Sequence, residues 1–222
     1  MKKTIKSLLI LILIGSMLFV LTGCGDKENT KKEEIVEQKQ ETNVDETEKP
    51  KFSMGEWNDN VYTNDFLGLK FNLPEGWTYS SDEEIAEMMS IGAEMLNDDQ
   101  KNLAEIAELY GVYYMVAQDP IKGNNVNVFS EKQITEIDSK TYIDALKTQL
   151  LAVQSISYEV VGTSEEKIGD IETTTLTLNA NTSGIEIMQK YYIYKIDKYM
   201  VGIIATSLNG ETGIDEIIEC FE

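Results

Sequence analysis

The chain has 222 residues and carries 39 acidic against 19 basic side chains, a formal net charge of −20. Every basic residue is Lys and there is no His, so Ser-His and Cys-His dyads, the usual zinc sites and a general base whose natural pKa lies near neutrality are all excluded. Such an acidic surface repels phosphate backbones and anionic lipid, and no nucleic-acid partner is expected.

The chain opens on Lys2, Lys3 and Lys6, continues as an apolar run from Leu8 to Leu21 broken by Gly15 and Ser16, and ends in the small residues Thr22 and Gly23. That is the three-part layout of a secretory signal peptide over residues 1–23. A membrane-crossing helix needs about 20 apolar residues. This run falls short before it reaches Gly25-Asp26-Lys27-Glu28, so cleavage is expected rather than spanning. Leu21-Thr22-Gly23-Cys24 resembles the lipobox of bacterial lipoproteins. The resemblance implies that Cys24 receives a diacylglycerol, that cleavage falls between Gly23 and Cys24, and that the chain is lipid-anchored at the outer face of the cytoplasmic membrane. Losing Lys2, Lys3 and Lys6 leaves 16 Lys against 39 acids, a formal charge of −23. Lys without Arg, beside many Ile and Asn, is the usage of an AT-rich genome such as that of a low-GC Gram-positive bacterium. With Cys24 acylated, Cys220 lacks an intramolecular partner, so the fold must rest on an apolar core instead of disulfides.

From Gly25 to Lys51 the only sizeable apolar residues are Ile35, Val36 and Val44. Too little apolar surface is available to offset the entropy of ordering, and residues 24–51 are expected to be a lipidated cysteine followed by a disordered acidic tether. Its 27 residues after Cys24 would span about 28 Å as a flexible coil.

A single domain is expected over 52–222, with order beginning near Trp57 or Val61. Val61-Tyr62-Thr63 is β-prone, a turn follows at Asn64-Asp65, and Leu69, Phe71 and Leu73 alternate with polar residues as a strand that Pro74-Glu75-Gly76 ends. Ser81 with Glu84 forms a capping box that starts a helix. Ile85, Met88, Met89, Gly92, Met95 and Leu96 make its apolar stripe. A break at Asn97-Asp98-Asp99 separates it from a second stripe of Leu103, Ile106, Ala107 and Tyr110.

Val112 to Ala117 and Val126 to Phe129 read as strands, joined by a loop through Gly123. Ser139 is the expected cap of a third helix with Tyr142, Ala145, Leu146, Gln149, Leu150 and Val153 inward. Four strands follow, from Tyr158, Glu172, Ile185 and Tyr199. Their last two connections, Asn181 to Gly184 and Asp197-Lys198, are tight and predict an antiparallel meander. Ile214, Ile217, Ile218 and Phe221 end the chain on a short amphipathic helix, with Cys220 as a small packing residue.

This order of elements implies a mainly antiparallel β-sheet covered by helices, an α+β fold. Leu67-Gly68-Leu69-Lys70-Phe71-Asn72-Leu73-Pro74-Glu75-Gly76-Trp77 resembles the opening hairpin of PsbP-like domains. The hairpin Tyr194 to Tyr199 and the closing helix fit the same plan over roughly residues 57 to 222. The resemblance implies an α/β/α sandwich and a non-catalytic assembly or binding role, and it carries over no metal-site histidines. A cystatin-like or nuclear-transport-factor-like α+β fold is the alternative.

Ser164-Glu165-Glu166-Lys167 matches the Ser-x-x-Lys pattern of penicillin-recognising enzymes, but the supporting Ser-Asp-Asn and Lys-Thr-Gly motifs are missing and the stretch reads as strand-to-turn. Two carboxylates suffice for a glycosidase, and 39 acids make some close pair inevitable. Asn58-Asp59-Asn60 and Asn97-Asp98-Asp99 are the densest oxygen clusters. Neither has the glycine and distal Glu of an EF-hand, and both read as turns or caps. Among the aromatics, Trp77 and Tyr113 are expected in the core, whereas Trp57, Tyr62 and Tyr114 are the candidate recognition surface. No catalytic residue, metal site or cofactor is expected. The expected role is a non-enzymatic, membrane-tethered binding or assembly module for a protein or envelope component. The alternatives are a cation- or small-ligand-binding lipoprotein and a hydrolase with carboxylate chemistry.

Overall fold

The computed structural model describes residues 52–94 and 111–222, the stretch 89–94 by its backbone alone. The leader, Cys24, the tether, the helical break at Asn97-Asp98-Asp99 and the second helical stripe lie outside the described residues. So do the side chains of Met89, Gly92, Met95 and Leu96. Among the described residues, no helix is long and apolar enough to cross a membrane.

Among the described residues, ten strands and three helices follow in the order β1 (Glu56–Asn58), β2 (Val61–Asn64), β3 (Leu69–Asn72), β4 (Thr78–Tyr79), α1 (Asp82–Glu94), β5 (Gly111–Gln118), β6 (Asn125–Lys132), α2 (Ser139–Ala152), β7 (Ser157–Ile168), β8 (Ile171–Thr182), β9 (Ile185–Ile196), β10 (Tyr199–Ser207) and α3 (Glu211–Ile218). Seven strands form one antiparallel sheet in the order β4-β5-β6-β10-β9-β8-β7, and β1-β2-β3 form a small second sheet. The fold is α+β and mainly antiparallel, as the element order implies.

Both faces of the large sheet are covered. On one, Ile85 of α1 and Tyr142, Ile143, Leu146 and Leu150 of α2 pack on Phe129, Leu176, Tyr191 and Ile204. On the other, Tyr62, Leu69 and Phe71 of the small sheet and Ile214 and Ile217 of α3 pack on Val128, Tyr192, Val201 and Ile203. The second layer is thus a sheet plus one helix, where helices alone were expected. Double coverage explains why β10 is apolar almost throughout instead of alternating, since each side chain meets a layer whichever way it points.

The helix starts obey local rules. At α1 the Ser81 amide donates to Glu84 Oε2 at 3.0 Å and the Glu84 amide to Ser81 Oγ at 3.3 Å, the reciprocal capping box. At α2 the cap is Asp138 rather than Ser139: Asp138 Oδ1 accepts from the Thr141 amide at 2.7 Å. Aspartate caps as well as serine and stands one residue earlier, which leaves the Ser139 hydroxyl to donate to Met200 Sδ at 3.8 Å.

Three boundaries depart from the sequence reading. β7 continues to Ile168, so Ser164 to Lys167 lie within an edge strand, past a bulge between Val160 and Gly162. Phe221 is not on the closing helix. The chain leaves α3 and runs beside β3, with the Asn72 amide donating to Cys220 O at 2.8 Å and the Glu222 amide to Lys70 O at 2.9 Å. Phe221 thereby meets Phe71, ring centroids 4.8 Å apart. The strands β1 and β4 also form, and neither has enough alternation of its own to announce a strand.

Candidate functional site

Of the three candidate surface aromatics, two are corrected. Tyr62 is 2% and Tyr114 3% exposed, so neither presents a surface. β2 alternates in burial, whereas β5 is buried almost throughout and bulges between Tyr113 and Met115, and both rings are sealed where the small sheet lies on the large one. Tyr62 donates to Met54 O at 2.7 Å, and burial pushes its phenol up to about 12. Tyr114 shares a 2.9 Å hydroxyl contact with Ser130, and burial raises its phenol too. Trp57 is half-buried. It stacks on Tyr79 at 4.1 Å with 12° between ring planes, joining β1 to β4 across the two sheets. Tyr113 is buried, and Trp77 half-buried.

The serine and lysine of the Ser-x-x-Lys stretch bond to different acids. Ser164 Oγ donates to Glu166 Oε1 at 2.7 Å, and Lys167 Nζ pairs with Glu172 at 3.2 Å. Asn58-Asp59-Asn60 forms the β1–β2 turn, with Asp59 at φ 54° and Asn60 O accepting from the Leu73 amide at 2.7 Å. Among the described residues, no group of three or more acids or cysteines is placed to hold a metal ion.

The most perturbed carboxyl is one the sequence does not single out. Glu131 on β6 is 4% exposed and accepts from the Tyr142 hydroxyl at 3.0 Å. Burial pushes its pKa up to about 8, against the opposing pull of that hydrogen bond. It joins α2 to the sheet.

Two open grooves lie at opposite ends of the large sheet. The first, about 310 Å³, is polar: Glu159, Asn179, Asn181 and Glu186 face it from β7 to β9, with Met188 and Leu208 as apolar wall. The second, about 730 Å³, lies between the β6–α2 loop and the β9–β10 hairpin and carries Lys132, Lys195 and Lys198 beside Ile134, Glu136 and Tyr199. The Gln133 amide donates to Lys198 O at 2.7 Å and holds the loop on the hairpin. Lys195 Nζ lies 3.4 Å from Glu136. Phe52, the first described residue, packs its ring 6.1 Å from that of Tyr199, so the chain enters the domain beside this groove. Neither groove is legible in the sequence. Lys132 stands 63 positions before Lys195, and only the register placing Tyr199 opposite Lys132 and Met200 opposite Lys195 brings them together.

No family model matches the chain, and no curated protein is similar to it. Among solved structures it is similar to cyanobacterial PsbP (CyanoP) from Synechocystis sp. PCC 6803, with a TM-score of 0.46 and 10% identity over 73% of this chain and 90% of that one. It is also similar to LpqN, involved in cell envelope biogenesis of Mycobacterium tuberculosis, with a TM-score of 0.40 and 13% identity over 69% of this chain and 81% of that one. A protein from Bacteroides thetaiotaomicron VPI-5482 gives a TM-score of 0.37 and 14% identity over 69% of this chain and 44% of that one.

Proposed function

We propose that the chain is a lipoprotein anchored through Cys24 at the outer face of the cytoplasmic membrane. Its domain is a non-catalytic binding or assembly module for another protein or an envelope component. The observation that carries this reading is Leu21-Thr22-Gly23-Cys24 at the end of an apolar run that starts from Lys2, Lys3 and Lys6. The domain supports it in kind: both faces of its sheet are filled by core, and what it offers outward is open relief and exposed side chains. Crosslinking on intact cells tests the role. A partner recovered with the natural chain and lost with Cys24→Ala is the expected result; recovery of the same proteins from both would count against it.

The first groove favours a second reading, a module for a small cationic ligand. Glu159 and Glu186 supply charge, and Asn179 and Asn181 supply carboxamide oxygens in one concavity. A ligand that binds only the native state raises the unfolding midpoint by mass action. Titration with calcium, and separately with a diamine, followed by thermal melting decides it: an unchanged midpoint at about millimolar ligand dismisses this reading.

A further inference from the structure

We propose that the lysine groove is the face the domain turns toward the anionic headgroup phosphates of the membrane that anchors it. This rests on the reading of Cys24 as lipidated. The chain as a whole is repelled by an anionic surface, so the position of its few cations decides which way a tethered domain faces. The described residues contain nine lysines against 26 acids, and three of the nine, Lys132, Lys195 and Lys198, line this one groove with only Glu136 and Asp197 as acidic neighbours. At the opposite end of the same strands, the first groove presents Glu159 and Glu186 and no lysine. Along the strand direction the lining of the lysine groove is thus a net-positive pole and that of the first groove a net-negative one.

The point of chain entry selects the same pole. Phe52 rests on Tyr199, a wall of the lysine groove, so the described chain begins at this end. The 27 residues between Cys24 and Phe52 connect the anchor to this end of the domain. Beside the lysines, Ile134 is 73% exposed and stands where an apolar side chain can enter the headgroup layer. Three lysines partly offset by two acids would hold a free domain only weakly. Anchoring through Cys24 keeps the domain close to the bilayer, where weak pairing is enough to orient it. Two copies do not pair symmetrically through the groove, because two such poles repel.

The test uses the lipidated mature chain in vesicles, with a fluorophore on Thr135→Cys in the lysine groove or on Ile185→Cys at the other pole, each in a Cys220→Ser background. Quenching by a headgroup-labelled lipid is compared between vesicles containing phosphatidylglycerol and vesicles of phosphatidylcholine alone. The expected result is several-fold stronger quenching at Thr135 than at Ile185 on phosphatidylglycerol. That preference should vanish on phosphatidylcholine and in K132Q/K195Q/K198Q, while the unfolding midpoint stays unchanged. Equal quenching at both positions on a bound chain overturns the lysine face alone, as does a preference that survives the three substitutions. Saturable binding of inorganic phosphate without approach of Thr135 to the bilayer overturns it in favour of a free anion. A chain with intact Cys24 that stays off the membrane overturns the anchor and this orientation together.

Discussion

The Tyr142 hydroxyl donates to Glu131 Oε2 at 3.0 Å, so α2 and β6 are joined through a carboxyl that water barely reaches. Both partners are displaced in the same sense: burial raises the carboxyl to about 8 and holds the phenol well above its usual range. At neutral pH the pair is a neutral hydrogen bond between two protonated groups.

Stability should therefore fall in a defined window. The folded pKa of Glu131, about 8, lies above the ordinary glutamate value of 4.5. The native state holds this proton while the unfolded state releases it, so the contribution is whole below about 4.5 and is lost as pH rises through about 8. Glu131→Gln keeps an acceptor for Tyr142 and removes the ionisation. Thermal melts across this window should show the natural chain losing up to a few kcal/mol that the variant retains. Parallel pH profiles for the two proteins would refute it.

Gly202 on β10 has no room for a side chain. A Cβ there would lie 2.3 Å from two ring atoms of Phe129 and 3.1 Å from Ile193 Cδ1. Phe129 stands opposite it in the register and covers it, the way an aromatic shelters a strand glycine. Gly202→Ala should cost about 1–3 kcal/mol in urea unfolding through overpacking. Phe129→Leu together with Gly202→Ala should cost less than the two single changes summed, a coupling that separates the clash from a general loss of strand stability.

Lys190 is a structural cation. Its side chain is 10% exposed, its Nζ lies 3.0 Å from Glu166 Oε2, and it sits 5.8 Å from the Tyr192 ring centroid. Lys190→Ala strands a half-buried carboxylate and removes packing, so a loss of about 2–4 kcal/mol is expected. Lys190→Met in a Glu166→Gln background should recover most of it, because stem and shape are kept and no charge is orphaned. Failure of that double variant to recover would place the stabilisation in the ion pair itself.

Cys24→Ala bears on the anchor. The natural chain should partition into the detergent phase and the variant into the aqueous phase, with circular dichroism and the unfolding midpoint of the domain unchanged. Retention of the variant in the detergent phase would mean that the leader itself holds the chain in the membrane.

Features governed by neighbours two to four residues apart are legible in the sequence. The meander β8-β9-β10 follows from β-branched and aromatic runs joined by short turns, and the α1 start follows from Ser81 and Glu84, whose mutual bonds need nothing beyond one helical turn. The lysine-only, histidine-free composition likewise removes whole classes of catalysis without any fold. Elsewhere a distant element decided. Tyr62 and Tyr114 sit on correctly read strands and are buried, because a strand pattern shows that two faces differ but not what will be laid on each. Phe221 leaves its helix because Phe71 and the open edge of β3 offer it ring contact and backbone partners 150 residues away. Glu131 holds its proton because α2 covers it, and Lys132 meets Lys195 because β10 lies between their strands. Burial and charge clustering are sums over the whole packed chain, so tertiary structure alone sets them.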